Sequence, residues 1–263
     1  MSRPNLYDYL KVFAILTMII DHIGYFLFPE ILWLRVIGRL AFPVFFFLIG
    51  RNGSSRISYE LIFLACFIQW ILRWASMFMG YNLRQLNILP VAILVKLFLG
   101  WISYIQNTKA VVSANTDTTE IKSRSFSTDH VILFLLMLIG LALIPRTKDI
   151  LEYGTVWFIM ALFGYSIKNK ERFLSEELAI FSILSLCSCI LINSSFPFTD
   201  MQWRVLLIGW IVIWYHFITT DLYRTFTAPM ILQKSIMFLS RYAIRVYIIH
   251  FSILLSIVII RRS

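Results

Sequence analysis

The sequence predicts an all-helical, polytopic membrane protein, and three observations carry that prediction. Hydrophobic residues make up 59% of the chain and charged residues 14%, with a mean hydropathy of +0.78; a soluble domain is roughly 45 to 50% apolar. Nine apolar runs approach the length a helix needs to cross the hydrocarbon core. The 24 Lys and Arg are scattered through the short connections between those runs, so the net charge of +10 reads as membrane topology. A nucleic-acid partner would call for one basic face, and the pattern argues against it.

The runs span residues 10–28, 31–49, 59–79, 86–105, 131–145, 151–167, 178–196, 203–219 and 236–260. The fifth and sixth are short, so the expected number of transmembrane helices is about nine, with eight to ten as the range. Arg3 and Lys11 precede the first run, which contains Asp21 and His22 and is followed by no small-residue cleavage site. That pattern reads as a retained first span. With the N-terminus in the cytoplasm, the cytoplasmic connections hold Arg51 and Arg56, then Lys109, Lys122 and Arg124, then Lys168, Lys170 and Arg172, then Arg224 and Lys234. The opposite connections hold Arg84, Arg146 and Lys148, while Arg261 and Arg262 run against an odd span count. The polar stretch 106–129 cannot bury enough apolar area to fold alone and reads as a cytoplasmic linker within one integral-membrane domain, 1–263. No internal repeat relates the spans before it to those after it, which argues against a transporter built from repeats. Cys66, Cys187 and Cys189 lie inside apolar runs without C-x-x-C spacing and read as packing residues.

Ionisable residues at membrane depth mark candidate sites. Asp21 and His22 are the first such residues, and the first two runs are joined only by Pro29 and Glu30. Those runs should therefore be antiparallel neighbours, with Asp21 and His22 opposite Arg39, about 10 to 12 Å from the turn. Arg35 lies one helical turn closer to the outer surface on the same face. One reading is a buried Asp21–Arg39 ion pair that stitches the hairpin. The other is a site, because two arginines, one carboxylate and one imidazole exceed what a single neutralising pair requires. Adjacent helical positions point about 100° apart, so Asp21 cannot orient His22 directly. Asp21 shares a face with Thr17 and Tyr25, and His22 shares one with Met18 and Tyr25 or Phe26. One residue can then meet arginine while the other faces a substrate channel, for which Tyr25, Tyr247 and His250 are candidates.

The remaining polar residues divide between sites and scaffolding. The loop GRNGSSR, 50–56, offers glycines, serine hydroxyls, Arg51 and Arg56 to a phosphate, and equally suits a plain topology signal; Lys11 has the same two readings. His130, at the end of the polar stretch, reads as solvated, and His216 as a packing residue beside Trp214 and Tyr215. Arg73 and Lys96 either pair with polar groups or line a cavity. Arg241 and Arg245 either snorkel at the interface or reach a cofactor. Trp70, Trp74, Trp101, Trp203 and Trp210 read as interface or packing aromatics.

The runs IDHIGYFLFP, 20–29, and LRVIGRLAFPVFFFLIG, 34–50, resemble the signature of the TraX family, membrane proteins implicated in acetylating conjugative pilin. The resemblance is densest over residues 6–60; downstream it is carried by hydropathy and by RYAIRVYIIH, 241–250, which is similar to the family's closing segment. Lys11 and His22 also have the spacing of a basic residue and a histidine in the first span of the wider integral-membrane acyltransferase superfamily. The resemblance implies a bacterial inner-membrane acetyltransferase that takes acetyl-CoA as donor and the N-terminal amine of a membrane-inserted pilin subunit as acceptor. It implies His22 for the acyl transfer, and no metal. The residue types agree with that chemistry, since an imidazole takes a proton near neutral pH or can itself carry an acyl group. Arg39 and Arg35 could hold the oxyanion with Asp21 fixing one of them. Lys11, Arg51 and Arg56 are the expected nucleotide contacts. A sugar or lipid hydroxyl as acceptor, a proton-coupled permease and a structural scaffold are the alternative readings.

Overall fold

The computed structural model describes residues 3–79, 86–114, 128–226 and 229–262. Among them regular structure is helical apart from two isolated bridges. In chain order the helices are α1 (Leu6–Phe26), α2 (Leu32–Gly38), α3 (Ala41–Asn52), α4 (Tyr59–Met79), α5 (Ile88–Ala114), α6 (Thr128–Thr147), α7 (Val156–Lys168), α8 (Ser175–Asn193), α9 (Asp200–Thr219), α10 (Met230–Arg241) and α11 (Ala243–Arg262). Among the described residues eight helical segments are long and apolar enough to cross a membrane, with α2 and α3 counted together as one, and the molecule is a multi-pass membrane protein.

α4 coincides with the third expected run, and four departures from expectation have physical causes. The second span breaks at Arg39 and Leu40 because Pro43 has no N–H to donate to the Arg39 carbonyl one turn earlier. That carbonyl accepts the indole N–H of Trp210 instead, at 3.4 Å. The last run is divided at Tyr242 into α10 and α11. α10 exposes Met230, Ile231, Leu232 and Phe238 beside the equally exposed Lys234, the pattern of a helix lying in a membrane interface. α7, 13 residues long, is about 20 Å and falls short of a hydrocarbon core of about 30 Å. Finally, α5 continues to Ala114 and α6 begins at Thr128, so the ends of the expected linker are helical. Its centre, 115–127 with Lys122 and Arg124, lies outside the described residues, as does Arg84.

The chain forms two compact units, one of Met1–Leu48, Trp70–Leu83 and Ser195–Ser263, the other of Ile49–Gln69 and Arg84–Ser194. The polar stretch lies wholly inside the second, so the units do not follow the expected division of four spans from five.

In the first unit α1 packs on α2, α10 and α11, and α2 packs on α9. The start of α1 is closed by a reciprocal cap: Asn5 Oδ1 accepts the Asp8 N–H at 3.0 Å and Asp8 Oδ2 accepts the Asn5 N–H at 3.1 Å. The other oxygen of Asp8 accepts the Ser240 hydroxyl at 2.7 Å, which ties α1 to α10. Leu6 and Tyr7 donate their N–H groups to the carbonyls of Arg224 and Leu222. These contacts hold α1 as a fixed post for the residues near its far end.

In the second unit α7 is the core. Every residue from Val156 to Ile167 except Phe158 is buried, against α5, α6 and α8. An apolar segment too short to span gains more from neighbouring helices than from lipid, since close packing adds dispersion contacts.

Candidate active site in the first unit

Helical geometry turns Asp21 and His22 onto different faces of α1, and each meets a different helix. On the Asp21 face two glycines bring α1 and α2 into close contact. A Cβ on Gly38 would overlap the Asp21 side chain, and one on Gly24 would lie 2.7 Å from Leu34 Cβ. Small residues at such a crossing let backbones approach, and here the approach sets Asp21 level with Gly38, between Arg35 and Arg39.

Arg35 is the close partner of Asp21. Its Nη1 donates to Asp21 Oδ2 at 2.8 Å and to the Asp21 carbonyl at 3.1 Å. Arg39, the partner expected from distance to the turn, has its Nε 3.9 Å from Asp21 Oδ1. The reason is that Arg39 lays its guanidinium over the Phe196 ring, 4.1 Å from the centroid. Arg35 also lies over Phe196, at 5.7 Å, and over Tyr25, at 5.1 Å. Asp21 Oδ1 accepts no hydrogen bond among the described residues. All three charged side chains are buried, so one carboxylate and two guanidinium groups share an apolar environment. Such a cluster rigidifies the hairpin and concentrates positive charge.

On the other face His22 meets α11. Its Nδ1 lies 2.8 Å from His250 Nε2, and His250 Nδ1 lies 3.0 Å from the Val246 carbonyl. The rings are tilted by only 12° with centroids 5.1 Å apart. That separation is the nitrogen–nitrogen distance plus the two ring radii, so the imidazoles meet edge to edge in nearly one plane and are not stacked face to face. An in-plane approach is the one a nitrogen lone pair requires. Phe26, Tyr247 and Phe251 enclose His22 with ring centroids 6.3, 6.0 and 5.2 Å away. His22 keeps 8% of its surface exposed, and its Nε2 makes no hydrogen bond among the described residues.

Of the residues singled out in the sequence, Asp21, Arg35, Arg39 and Tyr25 come together on one face and His22, Tyr247 and His250 on the other. Lys11 lies on the His22 side of α1, three turns and about 16 Å below it along the helix. Arg51 and Arg56 belong to the second unit. There Arg51 Nη1 donates to the Ile167 carbonyl at 2.7 Å, while Arg56 is exposed. The loop between them turns at Gly53, whose φ of 61° suits a residue without a Cβ. Two lysines strap it: Lys168 Nζ donates to the Asn52 carbonyl at 3.0 Å, and Lys96 Nζ to those of Ser54 and Arg56 at 3.2 and 3.1 Å. Lys96 is therefore a loop anchor.

Two other histidines fall outside this site. His130, expected to be solvated, is buried, with Nδ1 2.9 Å from Glu177 Oε1 and its ring stacked on Phe173 at 4.5 Å. The start of α6 folds onto α8, which the polarity of the preceding stretch does not reveal. His216 is exposed, with Nδ1 3.3 Å from Thr220 Oγ1.

Sequence reasoning missed Phe196, which no charge pattern marks, and the link between Trp210 and the Arg39 carbonyl. Pro43 was the available signal for the second, since it leaves that carbonyl without its helical donor.

The family model described as "TraX protein" matches residues 7–258. An uncharacterised protein of Rickettsia prowazekii (strain Madrid E) is 40% identical over 68 residues, which cover 26% of this chain and 27% of that protein. The chain thus aligns with about a quarter of the length of that curated relative. No solved structure matches the chain.

Proposed function

The chain belongs to the TraX family, and on that footing we propose that it is an acetyltransferase of a bacterial inner membrane, moving acetyl from acetyl-CoA to the N-terminal amine of a membrane-inserted pilin subunit. The observation that carries the reading is the His22 imidazole, whose Nδ1 is engaged by His250 while Nε2 makes no hydrogen bond among the described residues. A base of that kind takes the proton from the amine as the amine attacks the thioester carbonyl. The carbon–nitrogen bond forms, the carbon–sulfur bond breaks, and the proton passes from His22 to the departing thiolate. Acetyl carriage on the same imidazole is a variant of this chemistry. Positive charge near the reacting centre favours the oxyanion, and Arg35 and Arg39, with Asp21 holding Arg35 on the opposite face of α1 from His22, are assigned to it through their field and not by direct contact. The burial of all three supports that assignment, because charge acts more strongly away from water.

The donor is made in the cytoplasm and is strongly anionic. Arg51 and Arg56 of the second unit are assigned to its phosphates, and Lys11 of the first unit is the alternative contact. Tyr247, beside His22, is assigned to the approach of the pilin segment; Tyr25 lies on the Asp21 face under Arg35, and both nitrogens of His250 are engaged within the protein.

The test is acetylation of candidate pilin by membranes that hold the wild-type chain or His22→Asn. The wild type should add one acetyl group to the pilin N-terminus by mass spectrometry. His22→Asn should bind acetyl-CoA as before and transfer about 100 to 10,000 times more slowly. Pilin of unchanged mass with wild-type membranes removes the acceptor assignment, and full transfer by His22→Asn removes the catalytic one.

A further inference from the structure

We infer that His250 is a positioning residue which fixes the tautomer of His22, leaving Nε2 of His22 as the atom that accepts the substrate proton. The inference deepens the acetyltransferase reading and depends on it for the identity of the substrate, though the tautomers themselves follow from geometry.

The direction of the relay starts at the backbone. The Val246 carbonyl can only accept, so the His250 nitrogen facing it, Nδ1 at 3.0 Å, carries a hydrogen. In a neutral imidazole the other nitrogen is then a bare acceptor. His250 Nε2 is that nitrogen, and it faces His22 Nδ1 at 2.8 Å. Two lone pairs at this distance would repel, so His22 Nδ1 carries the hydrogen and donates it. His22 Nε2 is therefore bare. The near-coplanar arrangement of the rings, 12° apart, aims the bond along the lone pair.

The relay also accommodates the charged intermediate. When His22 Nε2 takes a proton from the acceptor amine, Nδ1 keeps its hydrogen and its partner, and no group between His22 and Val246 has to reverse. The groups facing the pair from α11 are Tyr247 and Phe251, and α1 contributes Phe26. Across α1 lie Asp21, Arg35 and Arg39, whose contacts are on the Asp21 face. The charged residues of α10, Lys234 and Arg241, are exposed. Nothing carboxylate-like touches His22 among the described residues, so its orientation rests on His250, in place of the acidic residue that holds the base in serine-hydrolase triads.

The inference is tested on full-length protein in lipid, with nitrogen-15 in the imidazoles and His22 assigned by its loss in His22→Asn. The wild type should show His22 with protonated Nδ1 and bare Nε2. His250→Leu should shift His22 toward the Nε2-protonated form, the tautomer usually preferred by free histidine, and lower kcat by roughly 100-fold with KM for acetyl-CoA changed less than threefold. His250→Gln keeps an amide oxygen for His22 Nδ1 and should recover kcat to within about tenfold of wild type. A wild-type His22 protonated at Nε2, or a His250→Leu protein with unchanged His22 signals, overturns the inference. The expected tautomers in a protein that transfers no acetyl would leave the relay intact and overturn the acetyltransferase reading.

Discussion

His22 in the first unit and His130 in the second are alike in burial, in using Nδ1 toward a side chain on another helix, and in packing against aromatic rings. Their partners differ. Glu177 spends one oxygen on His130 and the other on the Leu174 N–H at 2.9 Å, which caps α8. Glu177 thus joins α6 to α8 and caps α8 with the same carboxylate. His250 can either donate or accept, and a third group, the Val246 carbonyl, decides which. Burial and pairing of a histidine therefore say little about chemistry. Each imidazole donates from Nδ1 and keeps a bare Nε2, so what marks His22 as the candidate base is its place on the helix that also carries the buried Asp21–Arg35–Arg39 cluster.

The sharpest way to break this contrast is to exchange the outcomes of the two histidines. His22→Asn should lower transfer by about 100 to 10,000-fold at unchanged abundance, whereas His130→Ala should leave kcat per folded molecule untouched. A His130→Ala protein that is abundant and inactive would end the distinction. Next in size is Asp21→Ala, which leaves Arg35 and Arg39 buried without their carboxylate. Loss of one partner from a buried pair costs about 3 to 5 kcal/mol, visible as a lower unfolding temperature in detergent and poor membrane yield. The double change Asp21→Leu with Arg35→Met should recover much of that stability without recovering transfer.

Smaller effects refine the comparison. Gly38→Ala forces a methyl group into Asp21 and should cost about 1 to 3 kcal/mol of stability, measured by the same melting assay. Glu177→Gln weakens the His130 contact and the α8 cap; a loss of about 1 to 2 kcal/mol with transfer intact is expected. Smallest is Arg56→Ala, for which an exposed ionic contact to phosphate amounts to about 0.2 to 1 kcal/mol. It should raise KM for acetyl-CoA by less than about sixfold and leave kcat alone in steady-state assays.

Much of the scaffold was legible in the sequence because hydropathy and length carry it. α4 matches its apolar run end to end, and the opposed faces of Asp21 and His22 follow from helical periodicity alone. Distance from the turn was enough to pair α1 with α2, but not to choose between Arg35 and Arg39. That choice depends on the close approach at Gly38 and on the pull of Phe196, and both belong to packing. The partnership of His22 with His250 spans 228 positions, and no local pattern encodes it. The division of the last apolar run was hidden for another reason, since an interfacial helix and a spanning one share similar apolar content over a short window.

The order in which these partners appear during biosynthesis differs sharply. Asp21 and Arg35 are 14 positions apart and His22 and His250 are 228 apart, so at about 5 to 20 residues per second a ribosome supplies the first match in roughly 1 to 3 s and the second only after roughly 10 to 45 s. The acidic charge of the nascent first helix is thus neutralised almost as soon as the next helix enters the bilayer. The imidazole waits for the final helix, so a polypeptide truncated before α11 carries the restrained carboxylate but never the completed histidine pair.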